Sequence, residues 1–175
     1  MDLYPKLYIE KVTDIHIGLL KELNIKGLIL DVDNTLIDSE RNQVENVDKW
    51  CKDLQNHGVR FCIASNSNNR EKVEKVAKDL GVPYILFAKK PFSAGLLKAK
   101  TTLGLSNKNI AVVGDQIFTD ILGANNLDMY SILTEPISEQ ENIITKIKRP
   151  LENYVIKKYL ESKEKMKDKG ERDDR

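Results

Sequence analysis

The chain predicts an α/β fold: a doubly wound, three-layer parallel sheet. Short apolar runs bounded by Gly, Asp or Asn alternate with longer segments whose apolar residues recur at helical spacing, which is the pattern of a parallel sheet with crossover helices. The runs themselves, such as Leu28-Ile29-Leu30 and Ile110-Ala111-Val112-Val113, are continuously apolar, as strands covered by helices on both faces must be. Polar and charged residues collect where the runs end. Right-handed crossovers bring every such end to one rim of the sheet, where open α/β sheets bind ligands.

Tyr8 to Leu23 predicts a helix, with Val12, Ile15, Leu19, Leu20 and Leu23 in register and Asn24 ending it. Gly27 to Leu30 predicts a buried strand running into Asp31-Val32-Asp33-Asn34-Thr35-Leu36. Val44 to His57 is a helix, with Val47, Trp50, Cys51 and Leu54 on one face and Gly58 closing it. Val59 to Ala64 is the second strand, ending at Ser65-Asn66-Ser67; Asn69 to Leu80 is a helix stopped by Gly81. Tyr84 to Phe87 is the third strand and leads into Ala88-Lys89-Lys90-Pro91; Phe92 to Leu103 is helical up to Gly104. Ile110 to Val113 is the fourth strand, followed by Gly114-Asp115-Gln116-Ile117-Phe118-Thr119-Asp120, a helix to about Asn126, and a fifth strand from Met129 to Leu133. Residues 1–150 form one domain in this reading. Residues 151–175 form an amphipathic helix (Leu151, Tyr154, Val155, Tyr159, Leu160) and, from Ser162, a charged tail expected to fray.

A length of 175 residues suits one domain with a sizeable core. A formal net charge of +1 gives no general attraction to nucleic acid or anionic membranes, so no nucleic-acid partner is expected. The two cysteines, Cys51 and Cys62, are too few for a disulfide scaffold. A reducing, cytoplasmic setting is the default. No apolar run reaches bilayer length, and no secretory signal opens the chain.

The rim gathers Asp31, Asp33, Ser65, Asn66, Lys90, Asp115 and Asp120. Two acids at the end of a buried strand repel one another unless a proton or a cation lies between them. Mg²⁺ suits such carboxylates together with substrate phosphate oxygens. An isolated Asp-x-Asp-Asn-Thr reads as a turn. Further acids, a hydroxyl and a lysine arriving at the same rim favour a site.

The ordered motifs are acid-x-acid-x-hydroxyl, Ser-Asn, Lys-Pro and Gly-Asp-x4-Asp. They resemble those of the haloacid dehalogenase superfamily of phosphotransferases over roughly Gly27 to Leu133. The helix leading into Asn24 to Leu36, and Ala88-Lys89-Lys90-Pro91, look like the YqeG-type branch of subclass IIIA, bacterial phosphatases related to phosphatidylglycerophosphate phosphatases. The resemblance implies a Rossmann-like core and Mg²⁺-dependent hydrolysis of a phosphate monoester through an aspartyl-phosphate. It makes Asp31 the nucleophile and a metal ligand, and Asp33 the general acid/base grouped with the metal acids. Thr35, Ser65 and Asn66 would bind substrate phosphate, and Lys90 would neutralise charge there. Asp115 would ligate the metal, with Asp120 a further ligand or the group that orients Lys90. Lys90 is preferred over Lys89 because it directly precedes the proline.

Cys51, Cys62, His16 and His57 have no zinc-ligand spacing. The connections Leu36–Phe61 and Asn68–Pro83 each hold one helix, which leaves no room for a cap domain. An uncapped site suits a macromolecular or membrane-presented phosphate, phosphatidylglycerophosphate among them. The segments Tyr8–Leu23 and Leu151–Leu160 are candidates for contact with the inner membrane face, although covering the sheet is the simpler role. The competing reading is an adaptor on a phosphatase scaffold that binds RNA or a protein partner.

Overall fold

The strands are β1 (Leu7–Ile9), β2 (Gly27–Leu30), β3 (Arg60–Ala64), β4 (Tyr84–Ile85), β5 (Ile110–Gly114) and β6 (Tyr130–Thr134). In the computed structural model they form one six-stranded sheet in the order β1-β6-β5-β2-β3-β4, every pair parallel. The helices are α1 (Ile17–Glu22), α2 (Val47–Asn56), α3 (Arg70–Leu80), α4 (Ser93–Leu103), α5 (Leu122–Asn125) and α6 (Ile143–Asp173). The structure describes residues 2–138 and 143–173, the side chains of 143–146 and 166–173 excepted.

Alternation along the strands sorts the core into two layers. Leu28, Leu30, Phe61, Ile63, Ala111 and Val113 pack toward α2 and α3, against Cys51, Leu54, Val73 and Leu80. Ile29, Cys62, Ala64, Ile110 and Val112 pack on the other side, against Leu96, Ala99 and Leu103 of α4 and Ala124 of α5. A third cluster joins Ile117, Ile121 and Leu133 to Val155 of α6. The fold is therefore the expected doubly wound α/β sheet. Between β2 and β3 lie a turn, closed by an antiparallel bridge from Ile37 to Gln43, and α2; between β3 and β4 lies α3 alone.

The N-terminal segment departs from its expected single helix. Leu7–Ile9 forms an edge strand on β6, Val12–Asp14 a 3₁₀ turn, and only Ile17–Glu22 is α-helical. Val12, Ile15 and Leu20 are still buried, so the apolar spacing is real, but it serves a strand-turn-helix path. His16 interrupts any longer helix by capping α1, its Nδ1 accepting the Leu19 N–H at 3.1 Å.

The C-terminal segment also differs. α6 begins at Ile143, so the expected division at residue 150 falls inside it, and its backbone stays helical through Ser162 to Asp173. The side chains of Lys167, Asp168 and Lys169, within the stretch expected to fray, lie outside the described residues. Val155 and Tyr159 are buried whereas Leu151, Tyr154 and Leu160 are exposed, so one face of this helix covers the sheet.

Candidate active site

β2 ends at Leu30, and Asp31 follows with its amide still bonded to the Val113 carbonyl of β5 at 2.9 Å. Its side chain thus projects from the middle of the rim. The loop after β4 brings Lys90 to the same place, where its Nζ lies 2.6 Å from Asp31 Oδ1 and 2.6 Å from Asp120 Oδ1. This lysine is 4% exposed, whereas neighbouring Lys89 points to solvent. Of the two lysines, only Lys90 lies among the rim acids.

Asn66 fixes that loop. Its side chain donates to the Lys90 carbonyl at 2.9 Å and accepts the Lys90 amide at 2.7 Å. Asn66, expected to touch substrate, engages the lysine's backbone with both ends of its amide. Gly95 lets α4 close on the loop: a Cβ there would lie 2.2 Å from the Ala88 carbonyl oxygen.

Asp115 follows β5. Asp120 sits on a π-helical turn, Ile117–Ile121, inside the segment read only as the motif after the fourth strand; such turns recur at functional sites. Its Oδ2 accepts the Gln116 amide at 3.2 Å. Gly114 makes room for it, since a Cβ there would lie 2.2 Å from Asp120 Cγ. Asp31, Asp115 and Asp120 are all buried and offer carboxylate oxygens within 4.8 Å of one another.

Asp33, expected among the metal acids, lies outside that cluster of buried carboxylates. Its carboxylate turns outward, about half exposed, and pairs with Lys72 on α3. Two residues beyond Asp31 the chain has left the strand and entered a turn, with Asn34 at φ 57°, so the two acids diverge. Ser65 is buried, with its Oγ accepting the Ser67 amide at 3.0 Å. Thr35 is buried with its hydroxyl unpartnered among the described residues.

A second cation, unanticipated from the sequence, reaches the site from α6. Arg149 Nη2 donates to Asp115 Oδ2 at 2.7 Å, and its Nη1 to the Asp115 carbonyl at 2.9 Å. Glu152, also buried, pairs with Arg149 at 3.1 Å and accepts the Phe118 amide. Both residues sit where the sequence shows only charge, with no local signal to separate a site from a solvated face.

These charges are strongly coupled. Burial pushes the Asp31 carboxyl up to about 7, opposed by Lys90 and reinforced by Asp120. Burial also raises Asp115 well above the carboxylate range, as do Asp31 and Asp120, against the pull of Arg149. Burial alone would pull the Lys90 ammonium down, but Asp120 and Asp31 outweigh it and hold it above its ordinary value. Among the described residues, four buried carboxylates (Asp31, Asp115, Asp120, Glu152) face the cations Lys90 and Arg149, and Asp115 Oδ1 has no hydrogen-bond partner. An excess of negative charge, oxygen donors and an orphaned buried oxygen together fit a hard divalent cation.

Both cysteines are buried free thiols, pushed up by burial to about 12 for Cys51 and about 11 for Cys62. His16 and His57 cap helix ends.

The family model described as mitochondrial PGP phosphatase matches residues 2–138. The probable phosphatase YqeG of Bacillus subtilis (strain 168) is 33% identical over 153 residues, covering 87% of this chain and 88% of that protein. The chain belongs to the PGP phosphatase family. As a member of it, the protein is a phosphoric monoester hydrolase.

Within the family, a phosphatidylglycerophosphate phosphatase 1 of Arabidopsis thaliana, chloroplastic/mitochondrial, is 25% identical over 172 residues; the match covers 89% of this chain but 48% of that longer protein. Among solved structures, a protein from Listeria monocytogenes serotype 4b superposes with a TM-score of 0.53 at 16% identity, over 68% of this chain and 86% of that one. A cobalt-bound deoxy-D-mannose-octulosonate 8-phosphate phosphatase from Haemophilus influenzae gives 0.50 at 17% identity, over 66% and 81%. Both share the fold. Among the described residues no helix is long and apolar enough to cross a membrane.

Proposed function

We propose that this PGP phosphatase family member hydrolyses the phosphate monoester of phosphatidylglycerophosphate at a membrane surface, with Mg²⁺ and through an aspartyl-phosphate on Asp31. The observation that carries this reading is Lys90, buried between Asp31 and Asp120 at 2.6 Å from each. A lysine so placed neutralises the nucleophile's surroundings and receives the phosphoryl charge without reorganising.

An Asp31 carboxylate oxygen attacks phosphorus, and the bond from phosphorus to the alcohol oxygen breaks. Asp33, exposed at the mouth of the site, gives its proton to the departing alkoxide. It then takes a proton from water as that water attacks the aspartyl-phosphate, releasing inorganic phosphate and restoring Asp31. Ser65 and Thr35 offer hydroxyls to the phosphoryl oxygens. Asp31, Asp115 and Asp120 would hold Mg²⁺, which when bound supplies charge neutralisation and alignment for phosphoryl transfer.

The lipid assignment draws on the relatives and on the rim. Phe87 and Phe92, which bracket the Lys90 loop, are 53% and 73% exposed, and Leu151, Tyr154 and Leu160 are exposed on α6. Apolar side chains beside an uncapped site suit a headgroup held at a bilayer on the cytoplasmic face. The test is Mg²⁺-dependent phosphate release from phosphatidylglycerophosphate in vesicles, repeated with Asp31→Asn. Turnover that survives the substitution removes the nucleophile. Faster turnover of nucleotides or free sugar phosphates removes the lipid.

A further inference from the structure

We propose that Arg149 and Glu152 are positioning residues for Asp115, so that the C-terminal helix α6 completes the metal site from beyond the part of the chain that the family model covers. The family match ends at residue 138. α6 nevertheless delivers a guanidinium that is 14% exposed to a carboxylate that is fully buried. Arg149 takes hold of Asp115 at two points, Oδ2 and the main-chain carbonyl, at 2.7 and 2.9 Å. A fork that grips one residue at both side chain and backbone fixes its orientation, which a point charge cannot do. What it leaves is Oδ1, buried and without a hydrogen-bond partner among the described residues.

Arg149 is itself braced. Glu152, one helical turn on, accepts from Arg149 Nη1 through Oε2 at 3.1 Å and from the Phe118 amide through Oε1 at 3.1 Å. Phe118 lies on the π turn that carries Asp120, so one glutamate links the arginine to a second site acid. The same face of α6 continues into Val155 and Tyr159, both buried, with Val155 packed in the cluster of Ile117, Ile121 and Leu133. Apolar docking of the helix and polar grip on Asp115 are therefore one contact. Partners of this kind behind a metal ligand commonly change metal affinity by about 10- to 100-fold when removed.

The inference rests on reading Asp31, Asp115 and Asp120 as the Mg²⁺ site, and its sign is what makes it testable. If Arg149 acted only as a positive charge, removing it would tighten cation binding. As a positioning residue, its removal weakens binding.

The experiment titrates MgCl₂ into the full-length chain by calorimetry for wild type, Arg149→Ala, Arg149→Lys and Asp115→Asn. Mg²⁺ affinity is expected to fall about 10-fold or more in Arg149→Ala, with a parallel rise in the Mg²⁺ concentration for half-maximal phosphate release and an unchanged KM for substrate at saturating Mg²⁺. Unchanged or tighter binding overturns the proposal. Should Arg149→Ala not fold, Arg149→Lys decides, because it keeps the charge and loses the fork: weaker binding supports the role and wild-type affinity overturns it. A wild type indistinguishable from Asp115→Asn would bring down the metal reading itself, and the positioning role with it.

Discussion

Asn66 and Lys90 are joined by a reciprocal pair of hydrogen bonds, side-chain amide to backbone, 2.9 Å one way and 2.7 Å the other. The motif at the end of β3 thereby sets the conformation of the loop that carries the lysine. Replacing Asn66 by Ala removes two bonds worth roughly 0.5–1.5 kcal/mol each. The expected result is a modest fall in Tm and about a 10-fold or greater fall in kcat, since small misplacements of a charge-stabilising group are costly. Asn66→Asp, which keeps the acceptor, should fall between. Phosphate-release kinetics alongside thermal unfolding measure both, and an Ala variant with full kcat would refute the link.

Asp33 and Asp115 should separate cleanly by mutation. Asp33 lies outside the cluster of buried acids and pairs with Lys72. Asp33→Asn is expected to lower kcat by about 10²–10⁴-fold while leaving Mg²⁺ affinity near wild type. Asp115→Asn should weaken both. Calorimetric Mg²⁺ titration of the two variants is decisive, and a loss of Mg²⁺ binding in Asp33→Asn would return that residue to the metal acids.

Gly114→Ala tests how closely the strand end and the π turn approach. The added Cβ would lie 2.2 Å from Asp120 Cγ, so Asp120 must move and loosen its ion pair with Lys90. Overpacking of this kind costs about 1–3 kcal/mol, read as a lower urea midpoint together with loss of phosphatase activity. A variant with wild-type stability and activity would show that the acid can shift freely.

The metal-free protein should lose stability as pH rises toward neutrality. Burial raises Asp31 from the ordinary carboxylate range to about 7, so between about pH 4 and pH 7 the folded state holds a proton that the unfolded chain has released. The stabilising contribution is complete below the unfolded value and is lost as pH climbs through the folded one. Asp31→Asn removes this share, while Asp115, raised in the same direction by burial, contributes in both proteins. Relative to the variant, wild type should weaken by on the order of a few kcal/mol across this window, measured by urea unfolding in chelator at pH 4.5 and pH 7.5. A constant difference would contradict the raised carboxyl.

Local patterns were legible where one residue type answers one local demand. Apolar runs located the central strands β2, β3 and β5, helical spacing located α2, α3 and α4, and Asn24, Gly81 and Gly104 stopped their helices, each at positive φ. β1 was not legible, because three residues carry too little period to compete with the helical spacing that spans Val12 to Leu23. The outward turn of Asp33 depends on the bend at Asn34, and the use of Asn66 depends on a loop 24 positions away.

The order of the motifs along the chain by itself determined which strand ends meet and which acids and lysine share a rim, because parallel strands with right-handed crossovers leave little choice. Only the tertiary structure decided the division of labour among them. Asp115 and Arg149 are 34 residues apart, and nothing near either one marks the pairing. Burying a carboxylate calls for a partner, and the packed fold, with α6 docked beside the π turn, determines which one reaches it.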